Sequence, residues 1–279
     1  MKFGIMFANT GPFVEGANAI ALATTAEECG FESLWTVEHV VVPSGYTSTY
    51  PYDASGKMPG GQEDFDIPDP LSWLSYVAAV TKKIRLATGI LILPQRNAVV
   101  TAKAVATLDK LSGGRVTLGV GVGWLREEFE ALGVPFERRG ARTDDHIRAL
   151  RALWGDDCST YRGEFVSFEN VYSRPRPAQG LVPIVIGGHT KRAARRAGEL
   201  GDGFFPVKGS ALELAELIRV AKAAARDAGR DPDALEITTG GGPSEHLRRM
   251  ADLGVSRVTV PPMAPDGLRR FADEVIAKM

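Results

Sequence analysis

Residues 183–207 read PIVIGGHTKRAARRAGELGDGFFPV. The first part, Pro183–Gly187, is short, β-branched and apolar throughout, which predicts a strand buried on both faces. A helix follows over Thr190–Leu200, with a polar residue to open it and Gly201 to stop it. Gly203–Val207 is apolar again and reads as a second strand. A strand, a crossover helix and a strand joined by such short connections form the repeating unit of a parallel sheet.

The same rhythm extends in both directions. Towards the N-terminus it gives strands at Lys2–Ala8, Ser33–Glu38, Ile84–Leu93 and Arg115–Val122. The helices between them are Gly16–Cys29, Asp69–Thr81 and Ala98–Leu111, followed by Leu125–Leu132 and Thr143–Trp154. Asp69 is a predicted N-cap with Pro70 at N1, where a missing N–H costs nothing. Towards the C-terminus, Ser210 to Glu213 reads as a capping box and places Leu214, Leu217, Ile218 and Ala221 on one face. Strands at Leu235–Thr239 and Arg257–Pro261 and helices at Ser244–Leu253 and Asp266–Ala277 complete the chain. Three helix ends, Cys29-Gly30-Phe31, Leu200-Gly201-Asp202 and Leu253-Gly254-Val255, read as one repeated αβ corner. Eight strands in strict alternation with helices predict a single closed (β/α)8 TIM barrel over residues 1–279, because an open doubly wound sheet rarely runs to eight such units. Two insertions interrupt it, at 40–68 and at 159–180, the second reading as a hairpin.

Composition narrows the class. Hydrophobic residues at 44% and charged residues at 24% exclude a disordered chain. Thirty-three Lys and Arg against 34 Asp and Glu give a net charge of −1, so no broad field draws nucleic acid or anionic lipid and any anion site must be local. Apolar runs such as Ile90–Pro94 are far short of the ~20 residues of a membrane span. The opening apolar stretch is broken too early, by Asn9-Thr10-Gly11-Pro12, for a signal peptide. Cys29 and Cys158 are too few for a disulfide framework or a zinc cluster, and a reducing cytoplasm is expected.

In such a barrel the active site lies at the C-terminal ends of the strands. Those ends carry Ala8-Asn9-Thr10, Glu38-His39, Gly89-Ile90-Leu91-Ile92-Leu93-Pro94, Gly121-Val122-Gly123-Trp124, Gly187-Gly188-His189-Thr190, Pro206-Val207-Lys208, Gly240-Gly241-Gly242 and Pro261-Pro262. No carboxylate pair stands on adjacent ends beyond Glu38, which argues against a glycosidase. His39, His146, His189 and His246 show no metal-ligand spacing. Glycines, amides and aromatics remain, a surface that lets a flat ligand approach backbone while a cofactor supplies the chemistry. Gly119-Val120-Gly121-Val122-Gly123 looks like a dinucleotide fingerprint, but Trp124 stands where GxGxxG needs glycine. Cofactor contact and packing of small residues inside the barrel both stay open there. Gly187-Gly188-His189-Thr190 leads into a helix with Lys191 and Arg192 in its first turn and Arg195 and Arg196 one turn on. Open N–H groups and cations that oppose the helix dipole point to a bound phosphate, against the alternative of a solvated basic face. His39 is read as functional from its place, and His146 and His246 as surface residues. Lys208 is a Schiff-base candidate of the class I aldolase kind, set against a solvated loop lysine.

Four stretches, Thr24–His39 (ending GFESLWTVEH), Ile84–Asn97 (IRLATGILILPQRN), Ser112–Asp144 (with GGRVTLGVGVGWLREEF and RGARTD) and Pro183–Phe205, resemble the luciferase-like flavin-dependent oxidoreductases. Within them the chain is most similar to the branch that uses the deazaflavin coenzyme F420. The resemblance implies hydride transfer between F420 and a small organic substrate. Its alternative form uses FMN, reduced by a partner reductase, with oxygen to oxygenate the substrate. It further implies a non-prolyl cis peptide at Gly89–Ile90 bulging against the flavin centre, and His39 at the reactive face in an acid/base or hydrogen-bonding role. Gly121 and Gly123 would flank the ring system or tail, and Gly187, Gly188, His189 and Thr190 would hold the coenzyme phosphate. Lys191, Arg192 and Arg195 would meet further negative charge, such as the polyglutamate tail of F420. Tyr46, Tyr50 and Tyr52 would belong to a substrate-covering loop. A separate reductase or dehydrogenase would recycle the coenzyme, and relatives of this kind are often homodimers. An aldolase using Lys208 and a non-catalytic coenzyme-binding barrel are the competing expectations.

Overall fold

Strands and helices alternate through the computed structural model, which describes residues 1–58, 61–206 and 209–279. Lys208, the aldolase candidate, lies outside the described residues. The strands are β1 (Lys2–Met6), β2 (Ser33–Thr36), β3 (Arg85–Thr88), β4 (Leu91–Ile92) and β5 (Val116–Gly121), then β6 (Ser159–Arg162) and β7 (Ser167–Val171). They continue with β8 (Ile184–Gly187), β9 (Gly203–Phe205), β10 (Glu236–Gly240) and β11 (Arg257–Val260). β3 and β4 are the halves of the one strand expected over Ile84–Leu93. The cis Gly89–Ile90 peptide lies between them, and both halves pair with β5. Counting that pair once, eight parallel strands run in order around the ring. β11 pairs with β1, Lys2 opposite Arg257 and Ile5 opposite Val260, which closes it.

The helices are α1 (Gly16–Glu28), α2 (Pro70–Ala78), α3 (Ala98–Ser112), α4 (Arg126–Ala131), α5 (Arg139–Gly155), α6 (Lys191–Leu200), α7 (Ala211–Asp227), α8 (Ser244–Asp252) and α9 (Pro265–Glu274). Among the described residues, none is long and apolar enough to cross a membrane. Helices outside and side chains inside cover both faces of the strands, so every residue of β2, β5, β9 and β11 is buried. Asp69 caps α2 by accepting from Ser72 N at 2.9 Å, and Ser210 and Glu213 form both halves of the capping box on α7.

Several local expectations are corrected. Gly30 and Gly254 take the left-handed conformation, with φ of 79° and 82°. Gly201 does not: its φ is −94°, and it is glycine for room, because a Cβ there would lie 2.9 Å from both Ala197 O and Gly203 O. α5 begins at Arg139 rather than Thr143, since Arg142 reaches back to Pro135 O at 2.6 Å and apolar periodicity does not mark that polar start. His146 is buried, not on the surface. Its Nδ1 lies 3.3 Å from Leu93 O, and burial holds the imidazole below its ordinary pKa.

The 159–180 insertion carries the antiparallel hairpin β6–β7. Asp145 anchors it: Tyr161 OH donates at 2.6 Å to one carboxylate oxygen, and Phe165 N and Val166 N donate at 2.7 and 2.9 Å to the other. Inside the ring, Trp35, Ala87, Val185 and Phe205 form a layer of their own, with Trp35 and Phe205 edge to face at 5.4 Å. At the N-terminal end Arg257, 1% exposed, donates to Glu32 at 2.7 and 2.8 Å and to Glu236 at 3.0 Å. That end is devoted to holding the barrel together, and the C-terminal mouth is left for chemistry.

Candidate active site

His39 follows β2 at the C-terminal mouth. Its Nδ1 lies 2.9 Å from Oε2 of Glu128, a fully buried residue of α4, and Oε1 of the same carboxylate accepts Val40 N at 2.6 Å. A carboxylate only accepts, so Nδ1 is assigned the proton and Nε2 becomes the ring's other working atom. Gln95 Nε2 stands 3.4 Å from Glu128 Oε1, and its own Oε1 is buried without a partner among the described residues. Carboxylates therefore do gather at this mouth, although the strand ends predict none beyond Glu38, because Glu128 arrives from a helix. The signal was the acidic pair Glu127-Glu128 in the first turn of α4, which reads equally well as a complement to the helix dipole. Glu38 itself is engaged structurally. Arg96 donates to it and, at 2.7 Å, to Asp69, while Ile92 N donates to its other oxygen. Burial pushes the Glu38 carboxyl up, against the pull of Arg96.

Ile90, just past the cis peptide, fills the middle of the mouth. A Cβ at Gly121 would lie 2.3 Å from Ile90 Cδ1, and one at Gly187 would lie 2.5 Å from Ile90 Cγ2. Two of the predicted glycines are thus small because the Ile90 side chain occupies their space. Gly123 has φ 77°, and a Cβ there would meet Phe129 and Ile92 within 2.8 Å. At Gly89 a Cβ would lie 2.9 Å from Met6 Sδ.

Across the mouth, Gly187 ends β8 and Gly188 turns at φ 122°, a conformation open essentially to glycine alone. Thr190 caps α6 through its hydroxyl, accepting from Ala193 N at 3.2 Å, which leaves the amides of Lys191 and Arg192 facing out of the helix end. The predicted cations separate into different roles. Arg196 turns away to Asp144 and Gly140 O, and Lys191 pairs with Glu216 at 3.1 Å. Arg192 pairs with no carboxylate among the described residues. Arg139, which sequence reading missed, donates to Gly123 O at 3.0 Å. Burial, and then the like charges of Arg126 and Arg192, hold its guanidinium below the usual range, so positive charge collects beside the glycine turn.

The described residues of the 40–68 insertion pack at this end. Tyr46 is buried with Met58 and Leu125. Trp124 stands edge to face with His39 at 5.7 Å, with Tyr46 at 5.4 Å and with Tyr50 at 5.1 Å. Tyr50 meets Tyr52 at 5.3 Å, and Tyr52 meets His189 at 5.1 Å. One run of aromatic rings therefore joins His39 to the glycine turn. Burial, then the neighbouring Tyr52 and Asp53, push the Tyr50 hydroxyl up to about 12, so it stays protonated.

Residues 1–244 match the model of the luciferase-like monooxygenase family. An uncharacterized protein of Mycobacterium tuberculosis is 30% identical over 269 residues, which cover 95% of this chain and 94% of the relative. An F420-dependent glucose-6-phosphate dehydrogenase of Amycolatopsis mediterranei is 32% identical over 199 residues, 70% of this chain and 54% of that protein. The coenzyme F420 dependent tetrahydromethanopterin reductase from Methanopyrus kandleri shares the fold, with a TM-score of 0.79 at 18% identity over 99% of each chain. The closed barrel and the extent of these matches lead to one conclusion: the chain belongs to the luciferase-like monooxygenase family, the enzymes of F420- or flavin-dependent oxidation and reduction.

Proposed function

We propose that this protein is an F420-dependent oxidoreductase that passes hydride between the deazaflavin and a small organic substrate bound beside His39. The observation that carries the reading is that the His39–Glu128 pair, the Ile90 bulge and the Gly187–Thr190 turn share one barrel mouth. The Amycolatopsis and Methanopyrus proteins, both F420-dependent by name, support the deazaflavin over FMN. The residues fit such a group. A side chain at Gly188 would be strained and would crowd Ala193, so at that position bare backbone faces the space where a phosphate would sit. When bound, the deazaflavin supplies or accepts the hydride, and carbon in place of flavin N5 gives oxygen no part.

The chain's own contribution is positioning and proton handling. Ile90, seated on Gly121 and Gly187, offers the ring an apolar platform. Gly187, Gly188, His189, Thr190 and Arg192, with Arg139, would hold the phosphate and charged tail. His39 Nε2 takes the proton of a substrate hydroxyl as hydride leaves, or returns it to a carbonyl oxygen as hydride arrives. The aromatic run under the 40–68 loop keeps bulk water from this step. The reading also implies a cytoplasmic enzyme served by a separate dehydrogenase or reductase that recycles the coenzyme. The test is titration of the purified protein with F420 and with FMN, followed by fluorescence quenching. Saturable binding of F420 is expected. Tight FMN binding with no response to F420 would overturn the choice of coenzyme, and binding of neither would overturn the function.

A further inference from the structure

Five consecutive residues, Trp124 to Glu128, all face the 40–68 loop. Trp124 packs against Tyr46 and Tyr50, and Leu125 is buried with Tyr46 and Met58. Arg126 N donates to Ser48 Oγ at 3.1 Å. Glu127 Oε1 accepts from Thr47 N at 2.7 Å, Thr47 Oγ1 at 3.0 Å and Ser48 N at 3.1 Å. Glu128 accepts from Val40 N, the first amide of the same loop, and from His39 Nδ1. Two adjacent carboxylates in one helical turn thus grip the loop at its start and at its middle, and one of them also grips the imidazole.

We infer that Glu128 is the positioning residue of His39, and that docking of the 40–48 segment on Glu127 sets the orientation in which Glu128 does so. The physical reason lies in the carboxylate's two oxygens. With Oε1 tied to Val40 N, Oε2 is aimed at His39 Nδ1 and accepts its proton, leaving Nε2 bare toward the mouth. When Thr47 and Ser48 leave Glu127, Val40 keeps its bond to Glu128 Oε1 but loses the support of the segment that follows it. As that bond then opens more often, the carboxylate loses the contact that aims it, and His39 loses its fixed tautomer. Closing the loop and arming the base are then one event. A neutral imidazole without such a partner populates both tautomers, and only one of them has a bare Nε2. The inference rests on the reading of His39 as the proton-handling group, but its test needs neither coenzyme nor substrate.

The experiment is long-range 1H–15N NMR on protein carrying labelled histidine, with the His39 signals assigned by their loss in His39→Gln. The wild type is expected to show His39 protonated at Nδ1. In Glu128→Gln the introduced amide still accepts from Val40 N but presents an N–H to the ring, so His39 should change to the Nε2-protonated form. His146, whose Nδ1 faces Leu93 O, should be unmoved and reports that the fold is intact. Glu128→Asp, which keeps a carboxylate, should retain the wild-type tautomer in part. In Glu127→Gln, deuterium exchange in the 40–58 peptide should quicken about tenfold or more, and the His39 signals should broaden or double. A wild-type His39 protonated at Nε2, or an unchanged tautomer in Glu128→Gln, overturns the positioning role. Unchanged exchange in Glu127→Gln overturns the grip on the loop. Faster exchange with unaltered His39 signals overturns the coupling. F420 titration of the same wild-type sample reports separately on the coenzyme, so the two failures can be told apart.

Discussion

At Gly121 and Gly187 the missing Cβ is replaced by one side chain, Ile90, reaching across from the β3–β4 junction. Gly121→Ala is expected to cost about 1–3 kcal/mol through overpacking. Adding Ile90→Ala should recover much of that loss, because the two changes compete for a single space. Urea unfolding of the wild type, both single variants and the double variant gives the coupling, and simple additivity would show that Gly121 answers to something other than Ile90. Gly188 is constrained by its backbone instead. At φ 122° an alanine should cost about 1–3 kcal/mol, and it should weaken F420 binding in fluorescence titration more than Gly121→Ala/Ile90→Ala does. A glycine count at strand ends could not separate these cases, since space and backbone conformation leave the same letter in the chain.

At the scale of elements, the two insertions are each fastened by carboxylates projecting from a helix. Asp145 on α5 serves the β6–β7 turn with three hydrogen bonds, so Asp145→Ala should destabilise the hairpin by about 2–4 kcal/mol, read as rapid exchange of the Phe165 and Val166 amides. Glu127 on α4 serves the 40–68 loop. Burial opposes its ionisation, but hydrogen bonds from Ser48 and Thr47 outweigh it and bring the carboxyl down to about 2. A folded-state pKa below the unfolded value adds stability above the ordinary carboxylate range, which is lost as pH falls toward the lowered value. Loop protection, taken relative to the intrinsic amide exchange rate at each pH, should therefore be flat above about pH 5 and fall between about pH 4 and 2, and a loss of protection above pH 5 would point to another group. The hairpin was legible from its aromatic alternation around Arg162-Gly163. Its anchor was not, because Asp145 lies in a helix whose polar residues all read alike.

For the molecule as a whole, the ring is tied at its N-terminal end by Arg257, Glu32 and Glu236, with Lys2 also paired to Glu236. Burial raises both carboxyls, but the cations outweigh it and hold them below the usual range. Their contribution is thus present at neutral pH and fades as pH falls below the ordinary carboxylate value. Arg257→Met should cost about 3–5 kcal/mol at neutral pH by leaving part-buried Glu32 without its cation and Glu236 with Lys2 as its remaining partner. It should also flatten the loss of thermal stability on acidification, since little of that pairing would remain to lose. Thermal unfolding of both proteins from pH 7 downward measures this. Parallel curves would show that acid sensitivity comes from elsewhere.

The alternation of strand and helix, the capping of α2 and α7, and the place of the mouth were all determined by the sequence, because local propensity and two-sided burial act on neighbouring residues. His39 was legible for the same reason, standing at a strand end that the alternation located, whereas the Gly89–Ile90 cis peptide was expected only from the family resemblance. Only the tertiary structure decided that Glu128 serves His39, 89 residues away in the chain, and that Arg139 stands near Arg192. It alone buried His146, made Gly201 a matter of space and made Ile90 the reason for Gly121 and Gly187. Such pairings depend on which surfaces meet when the ring closes, and no local pattern in the chain carries that information.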